Sequence, residues 1–373
     1  MRGIGAALEA RLPDILADIE ELVTTESPTA DPAAVAKCAE VVASLGARLT
    51  GSAPERLTAG GRPHLRWRFG SGDRVLLLGH FDTVWPVGTL ATHPYGVTGG
   101  RLTGPGCFDM KSGLVQLFHA LSVLDDLDGV TVLATSDEET GSATSRELIE
   151  AEARRTGAVL VLEASAQGAL KTARKGVSTY DLRITGRAAH AGLEPHRGVN
   201  ASVELAHQVL AIAALADPGA GTSVTPTVLT SGTTRNTVPA SAEVLVDVRA
   251  WTTDEQARVD AAFRGLPPVL AGATLSLSGG PARAPLQHES SAALFGRARR
   301  LYDALGYGDL QGVSVGGGSD GNLTAGAGAP TLDGLGAVGG GAHADDEHVV
   351  VAELPCRAAL VAALVDELAG ERR

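Results

Sequence analysis

The segment Thr131-Val132-Leu133-Ala134-Thr135-Ser136-Asp137-Glu138-Glu139-Thr140-Gly141 decides the reading of this chain. Its first five residues are β-branched or apolar, which predicts a short buried strand. The strand stops at three consecutive acids, Asp137, Glu138 and Glu139. Adjacent carboxylates repel one another, so two explanations stand: a solvated acidic turn, or a turn whose charge a divalent cation neutralises. In the second, one carboxylate binds metal while its neighbour acts as a general base.

The segments on either side favour the second explanation. Upstream, Arg74–Gly79 contains Val75-Leu76-Leu77-Leu78, a continuous apolar run of the kind found in parallel strands covered on both faces. It delivers His80-Phe81-Asp82. Two residues apart in extended chain, His80 and Asp82 point the same way, so the imidazole can bind metal while the carboxylate orients its ring. A capped strand end with a satisfied histidine is the plainer alternative. Downstream, the apolar run Ala158–Leu162 delivers Glu163. Between these runs lie an irregular loop, 104–109, and a helix from Lys111 or Ser112 to about Leu124, with Asp109 placed as an N-cap. Ser142 or Ser145 is expected to cap a second helix over Arg146–Arg155. Strand, helix, strand, helix, strand is the pattern of a parallel α/β sheet, and ligands bind at the carboxyl ends of its strands. His80, Glu138, Glu139 and Glu163 all fall there, which independent capping roles would not arrange.

The flanks complete the organisation. Leu8–Val23 and Pro32–Leu49 read as helices, the second capped by Asp31; Pro13 kinks the first or marks its start. His64–Arg68 reads as an edge strand. From about Gly176 the pattern changes to alternating strands, such as Val177–Thr185 and Ala242–Ala250, mixed with helices at Asn200–Leu215 and Thr253–Gly265. Helical periodicity resumes at Ser290–Leu305 and Leu354–Leu368, with glycine-rich loops between. The loop Gly316–Asp320 lacks the lysine and hydroxyl of a nucleotide P-loop. The expected fold is α/β: a mostly parallel sheet domain flanked by helices, built from 1–176 and 284–373, with a smaller α+β domain inserted at 177–283.

Composition sets the outer limits. The 373 residues are 44% hydrophobic and 20% charged, which describes a soluble globular protein. A net charge of -12 argues against nucleic acid as a partner. Cys38, Cys107 and Cys356 form no C-x-x-C pair, which fits reduced thiols and excludes a cysteine-based zinc site. The pattern of residues 1–23 indicates no signal peptide, and no apolar run approaches the length of a membrane span. A cytoplasmic protein without a membrane partner is expected.

Five motifs occur in a telling order: Gly79-His80-Phe81-Asp82-Thr83-Val84, Gly104-Pro105-Gly106-x-x-Asp109-Met110-Lys111, Asp137-Glu138-Glu139-Thr140-Gly141, Gly186-Arg187-Ala188-Ala189-His190-Ala191-Gly192 and Gly316-Gly317-Gly318-Ser319-Asp320. Together they resemble the di-zinc aminoacylase and carboxypeptidase superfamily across essentially the whole chain, most closely its glutamate carboxypeptidase branch. The resemblance implies two Zn2+ ions, with Mn2+ or Co2+ as substitutes. His80 and Glu163 would complete one site, Glu139 and His343 the other. Asp109 would bridge both, with a cis peptide to Met110. Asp82 would orient His80, and Glu138 would be the general base.

The resemblance also makes the insert a lid and dimerisation domain. There His190, Asn236 and Arg249 match residues that contact the substrate's carboxylate or the developing oxyanion, and Gly317, Gly318 and Ser319 would line the pocket. The matching histidine often reaches a partner subunit's active site, which implies a homodimer. The implied activity releases an amino acid from a peptide or N-acyl amino acid. Deacylation of N-acetyl or N-succinyl amino acids is the alternative, and a non-catalytic binding relative a remote third. One departure bears on glutamate specificity: Gly280-Pro281, with Arg283 slightly later, stands where the branch carries Arg-Pro.

Overall fold

A computed structural model describes residues 2–371. The chain divides into two compact units, Met1–Ala173 with His288–Val315 and Ser319–Arg373, and Arg174–Gln287 with Gly316–Gly318.

In the first unit the main strands are Glu55–Ala59 (β1), Arg62–Arg68 (β2), Val75–His80 (β3), Val130–Thr135 (β4) and Ala158–Val161 (β5). With the short strand Thr331–Leu332 they form one sheet, in the order β1, β2, β4, β3, β5 and Thr331–Leu332. Pairing is parallel from β4 through β3 and β5 to Thr331–Leu332, and antiparallel where β1 and β2 extend the edge. The helices of this unit include Arg2–Ala10 (α1), Leu12–Thr24 (α2), Pro32–Thr50 (α3), Ser112–Leu121 (α4) and Arg146–Arg155 (α5). Leu77, Val132 and Leu160 belong to a core with Val42 of α3, Leu114 and Phe118 of α4, and Leu360 of the helix Leu354–Gly370. Their neighbours Leu76, Leu78, Leu133, Val159 and Val161 cluster instead with Ile149 and Ala153 of α5. Both sheet faces are therefore covered, which is why the strand sequences are apolar without alternation.

Two expectations change. The strand containing His64–Arg68 is not the edge, because β1 lies outside it. β1 is polar and largely exposed, so it leaves no hydrophobic signature. Its signal is the turn: Gly60 and Gly61, both at positive φ, join β1 to β2 in a two-residue hairpin. The first helix is two, broken at Arg11, with Pro13 in the first turn of α2 where its missing N–H costs nothing.

The second unit contains Gly176–Thr185 (β6), Ser223–Ser231 (β7), Ser241–Ala250 (β8) and Thr274–Arg283 (β9), an antiparallel sheet ordered β7, β8, β6, β9. Its helices are Ala201–Ala213 (α6) and Thr253–Arg264 (α7). Alternation places Tyr180, Leu182, Ile184, Val244, Val246 and Val248 in a core with Leu205, Ile212, Val259 and Phe263. Tyr180 and Phe263 stack with ring centroids 4.0 Å apart. Among the described residues no helix is long and apolar enough to cross a membrane.

Candidate metal centre and active site

β3, β4 and β5 each release a polar side chain at the carboxyl edge of the sheet. His80 is buried at the end of β3 and its Nδ1 lies 3.0 Å from the carbonyl oxygen of Asp82. Donation there puts the ring proton on Nδ1 and leaves the Nε2 lone pair facing Asp109 Oδ1 and Glu163 Oε1, each 3.6 Å away. The orienting contact thus comes from the main chain of Asp82 more than from its carboxylate, which is 3.4 Å from Nδ1. That carboxylate instead accepts from Glu138 N–H at 3.2 Å, Glu139 N–H at 3.3 Å and the Thr29 hydroxyl at 2.7 Å. Asp82 therefore fixes the acidic pair.

The third acid of that turn is structural. Buried Asp137 accepts from Thr144 N–H and hydroxyl and from the Ser145 hydroxyl, at 2.6 to 2.8 Å. It fastens the start of α5, a task the sequence assigned to Ser142 or Ser145. Burial opposes its charge, but these bonds outweigh burial and hold its carboxyl below the usual range.

Asp109 does not cap α4, which starts without a side-chain cap. Its peptide bond to Met110 is cis. While Oδ1 faces His80, Oδ2 lies 3.3 Å from His343 Nε2. That nitrogen is 3.1 Å from Glu139 Oε2. His343 itself sits at φ 62, an uncommon backbone for a residue with a side chain. One carboxylate thus divides its two oxygens between two histidine–carboxylate pairs.

These residues fit a pair of divalent ions. His80 Nε2, Asp109 Oδ1 and Glu139 Oε1 are buried with no hydrogen-bond partner, a costly state unless something else binds them. Ligand atoms around one tetrahedral zinc, with bonds near 2.0–2.1 Å, lie about 3.3 Å apart. The observed separations run from 3.1 to 3.6 Å. Charge agrees: Asp109, Glu138, Glu139 and Glu163 crowd together, with Lys171 Nζ 4.0 Å from Glu163 as a nearby cation. The carboxylates of Asp109 and Glu139 push the His343 imidazole up to about 10. At His80 burial opposes charge, yet Asp109, Asp82 and Glu163 prevail and hold it well above its ordinary value.

Glu138 offers an oxygen within 4.8 Å of the ligand atoms of His80 and Glu163, close enough for either a ligand or a base. Three residues without a sequence signature support the centre. Buried Glu347 accepts from the N–H groups of Gly106, Phe108 and Asp109 and from the Trp85 indole, at 2.8 to 3.0 Å. Gly113 and Gly336 press on the strand end before Glu163, where a Cβ on either would lie 2.2 Å from the Leu162 carbonyl oxygen.

Comparison with known proteins matches residues 76–367 to the model of peptidase family M20/M25/M40. The chain belongs to this family. Carboxypeptidase G2 of Pseudomonas sp. strain RS-16 is 32% identical over 378 residues, 95% of this chain and 89% of that protein. Acetylornithine deacetylase of Proteus mirabilis is 30% identical over 214 residues, 54% of each. In fold, the chain resembles aminopeptidase PepT of Bacillus cereus with a TM-score of 0.75 at 22% identity, covering 96% of this chain and 99% of that one. This M20/M25/M40 peptidase is accordingly a metal-dependent hydrolase.

The remaining expected site residues of this peptidase lie mostly in the second unit. His190 is exposed, and its Nδ1 accepts from Gly192 N–H and Leu193 N–H at 3.1 Å, which leaves Nε2 as the protonated, outward donor. Asn236 is beside it, its carbonyl accepting from Ala191 N–H at 2.9 Å. Arg249 is not with them. It lies near the other end of β8, eight residues beyond Ser241, roughly 26 Å at about 3.3 Å per residue. Its guanidinium grips Asp247 through two bonds of 2.8 and 2.9 Å. The Gly317 and Gly318 carbonyls accept from Arg174 at 3.0 and 3.4 Å. Ser319, in the first unit, is buried as the cap of helix Asp320–Gly326 and donates to Asp333, so its hydroxyl serves the loop's own structure.

Proposed function

We propose that this peptidase is a zinc-dependent exopeptidase that releases the carboxyl-terminal amino acid of a peptide or N-acyl amino acid, in the manner of a glutamate carboxypeptidase. The observation that carries the reading is the Asp109 carboxylate shared between the His80–Glu163 and His343–Glu139 pairs. When bound, two ions supply Lewis acidity, polarising the scissile carbonyl and making a water easier to deprotonate. Glu138 takes the proton of that water and returns it to the leaving amine. Asp82 aids this by pinning the Glu138 and Glu139 main chain, so the two adjacent carboxylates hold separate positions. Arg249 offers a planar fork to the substrate's carboxylate, with Asp247 setting its orientation. His190 donates its outward Nε2–H to the developing oxyanion. Because His190 and Arg249 stand at opposite ends of one sheet, we assign them to different active sites of a homodimer. The match to acetylornithine deacetylase keeps deacylation as a second reading with the same machinery.

Hydrolysis of a substrate panel tests this, with zinc-loaded enzyme and Glu138→Ala as the blank. The panel holds folyl-glutamate, dipeptides ending in Glu, Asp, Ala or Phe, and N-acetyl and N-succinyl amino acids. Cleavage before glutamate is the expected result, whereas cleavage confined to acylated amino acids selects the deacylase. Glu138→Ala should lose about a hundredfold to ten-thousandfold in kcat while keeping its metal, the typical contribution of a general base. Loss of the metal with activity would make Glu138 a ligand.

A further inference from the structure

The first unit carries an open trough of about 440 Å³ whose wall includes Glu139 and, beyond it, residues given no role above. Two segments form it, Pro28–Asp31 ahead of α3 and Thr83–Val87 just beyond Asp82. Main-chain bonds join them: Thr29 N–H donates to Thr83 at 3.0 Å, and Thr83 N–H to Ser27 at 2.9 Å. Glu26 accepts from Gly88 N–H and Leu90 N–H, at 2.8 and 3.0 Å, and fixes the turn that follows. The Thr29 hydroxyl bonds Asp82 Oδ2 at 2.7 Å. The walls are thus tied to the same carboxylate that positions Glu138 and Glu139.

The lining is apolar, from Pro28, Ala30, Val84, Pro86 and Val87. Val84 and Val87 leave 42% and 58% of their surface in water. The charged lining residues are Asp31 and Glu139; among the described residues that line it there is no cation. We infer that this trough seats the acyl side of the substrate, and that the group it selects is uncharged, apolar and larger than acetyl. The inference rests on the hydrolase reading above. The released amino acid carries a carboxylate, for which this lining offers no cationic side chain, so that half lies elsewhere. The lack of a cationic partner, with Asp31 in the wall, likewise disfavours succinyl. A hexanoyl chain lying along Val84 and Val87 instead removes apolar surface on both partners from water.

The test uses N-acetyl-, N-hexanoyl- and N-succinyl-glutamate, which differ only on the acyl side. Zinc-loaded Glu138→Gln enzyme, slowed in turnover, is titrated with each by calorimetry, and kcat/KM is measured for the native residue at 138. With each methylene about half buried in the open trough, both affinity and kcat/KM should rise about twofold per methylene, roughly tenfold or more from acetyl to hexanoyl, with succinyl weakest. Val87→Asp, on the exposed wall, should bring the hexanoyl-to-acetyl ratio near one, and Val84→Ser should reduce it in the same direction. Equal affinity for acetyl and hexanoyl, or a ratio indifferent to both variants, overturns the trough. Tenfold tighter hexanoyl binding with no hydrolysis of any member leaves the trough standing and removes the proposed release of glutamate.

Discussion

Glu347 shows how a residue outside the ligand set can govern the metal centre. Its Oε1 accepts from the N–H groups of Phe108 and Asp109, and its Oε2 from Gly106 N–H and the Trp85 indole. All four acceptor positions are used, and they hold the main chain that aims Asp109 at both histidines. In Glu347→Gln an amide NH2 must face two N–H donors, and each unsatisfied buried group costs about 1–3 kcal/mol. The expected outcome is a loss of bound metal after dialysis relative to the parent, with kcat down roughly tenfold or more. Elemental analysis by mass spectrometry, with kcat and KM, checks it; full metal retention at native kcat would leave Glu347 a purely structural group. Residue roles were unevenly legible in the sequence, for a physical reason. His80, Glu138, Glu139 and Glu163 end apolar runs, so strand geometry alone points them to one edge. His343 follows no such run and was found only through its resemblance to a family motif. Glu347 binds mostly main-chain N–H groups, which nearly every residue possesses, so its partners carry little mark in the sequence.

Elements place these residues by contact at the strand ends. Gly113, in the first turn of α4, lets that helix meet the Leu162 carbonyl oxygen, where a Cβ would stand only 2.2 Å away. The obstacle is main chain and cannot rotate aside. Gly113→Ala should therefore destabilise the protein by about 1–3 kcal/mol despite the higher helix propensity of alanine. It should also weaken zinc binding by shifting Glu163; urea unfolding and zinc titration measure the two effects, and a variant more stable than the parent would refute the contact. Two buried histidines give the packing a pH dependence. His119 Nε2 is 2.7 Å from Asp18, and His64 Nε2 is 3.1 Å from the Thr144 hydroxyl, while Nδ1 of each has no partner. Burial pushes both imidazoles below their ordinary value of 6.5, against Asp137 at His64 and Asp18 at His119. As the pH falls, the unfolded chain then binds these protons first, so stability is full above about 6.5 and declines below it. The melting temperature should drop between pH 7 and 5.5, and His64→Gln with His119→Gln should flatten that slope; an unchanged slope would assign the decline to other groups. Strands such as β3 and β4 were legible because burial on two faces demands continuous apolar sequence. β1 was not, because an exposed edge strand makes no such demand, and the Gly60-Gly61 turn was its only trace.

At the scale of the whole molecule, the spacing within the second unit bears on how many chains make an active site. His190 and Asn236 lie beyond the Ser241 end of β8, and Arg249 lies near its far end. A strand of that length is rigid, and roughly 26 Å exceeds the span of a dipeptide-sized substrate several times over. One active site can use both ends only if they come from different copies of the chain, as in an isologous dimer. Light scattering should then give twice the chain mass. A sharper measurement mixes two inactive variants, Glu138→Ala and His190→Ala, after reversible dissociation. Each mixed dimer has one site in which Glu138 and the partner-supplied histidine are both intact. Half the dimers are mixed and half their sites are complete, so roughly a quarter of native activity should return. Dimers that re-form without any recovery would place His190 in its own chain's site, and Arg249 would then be the residue that the partner supplies.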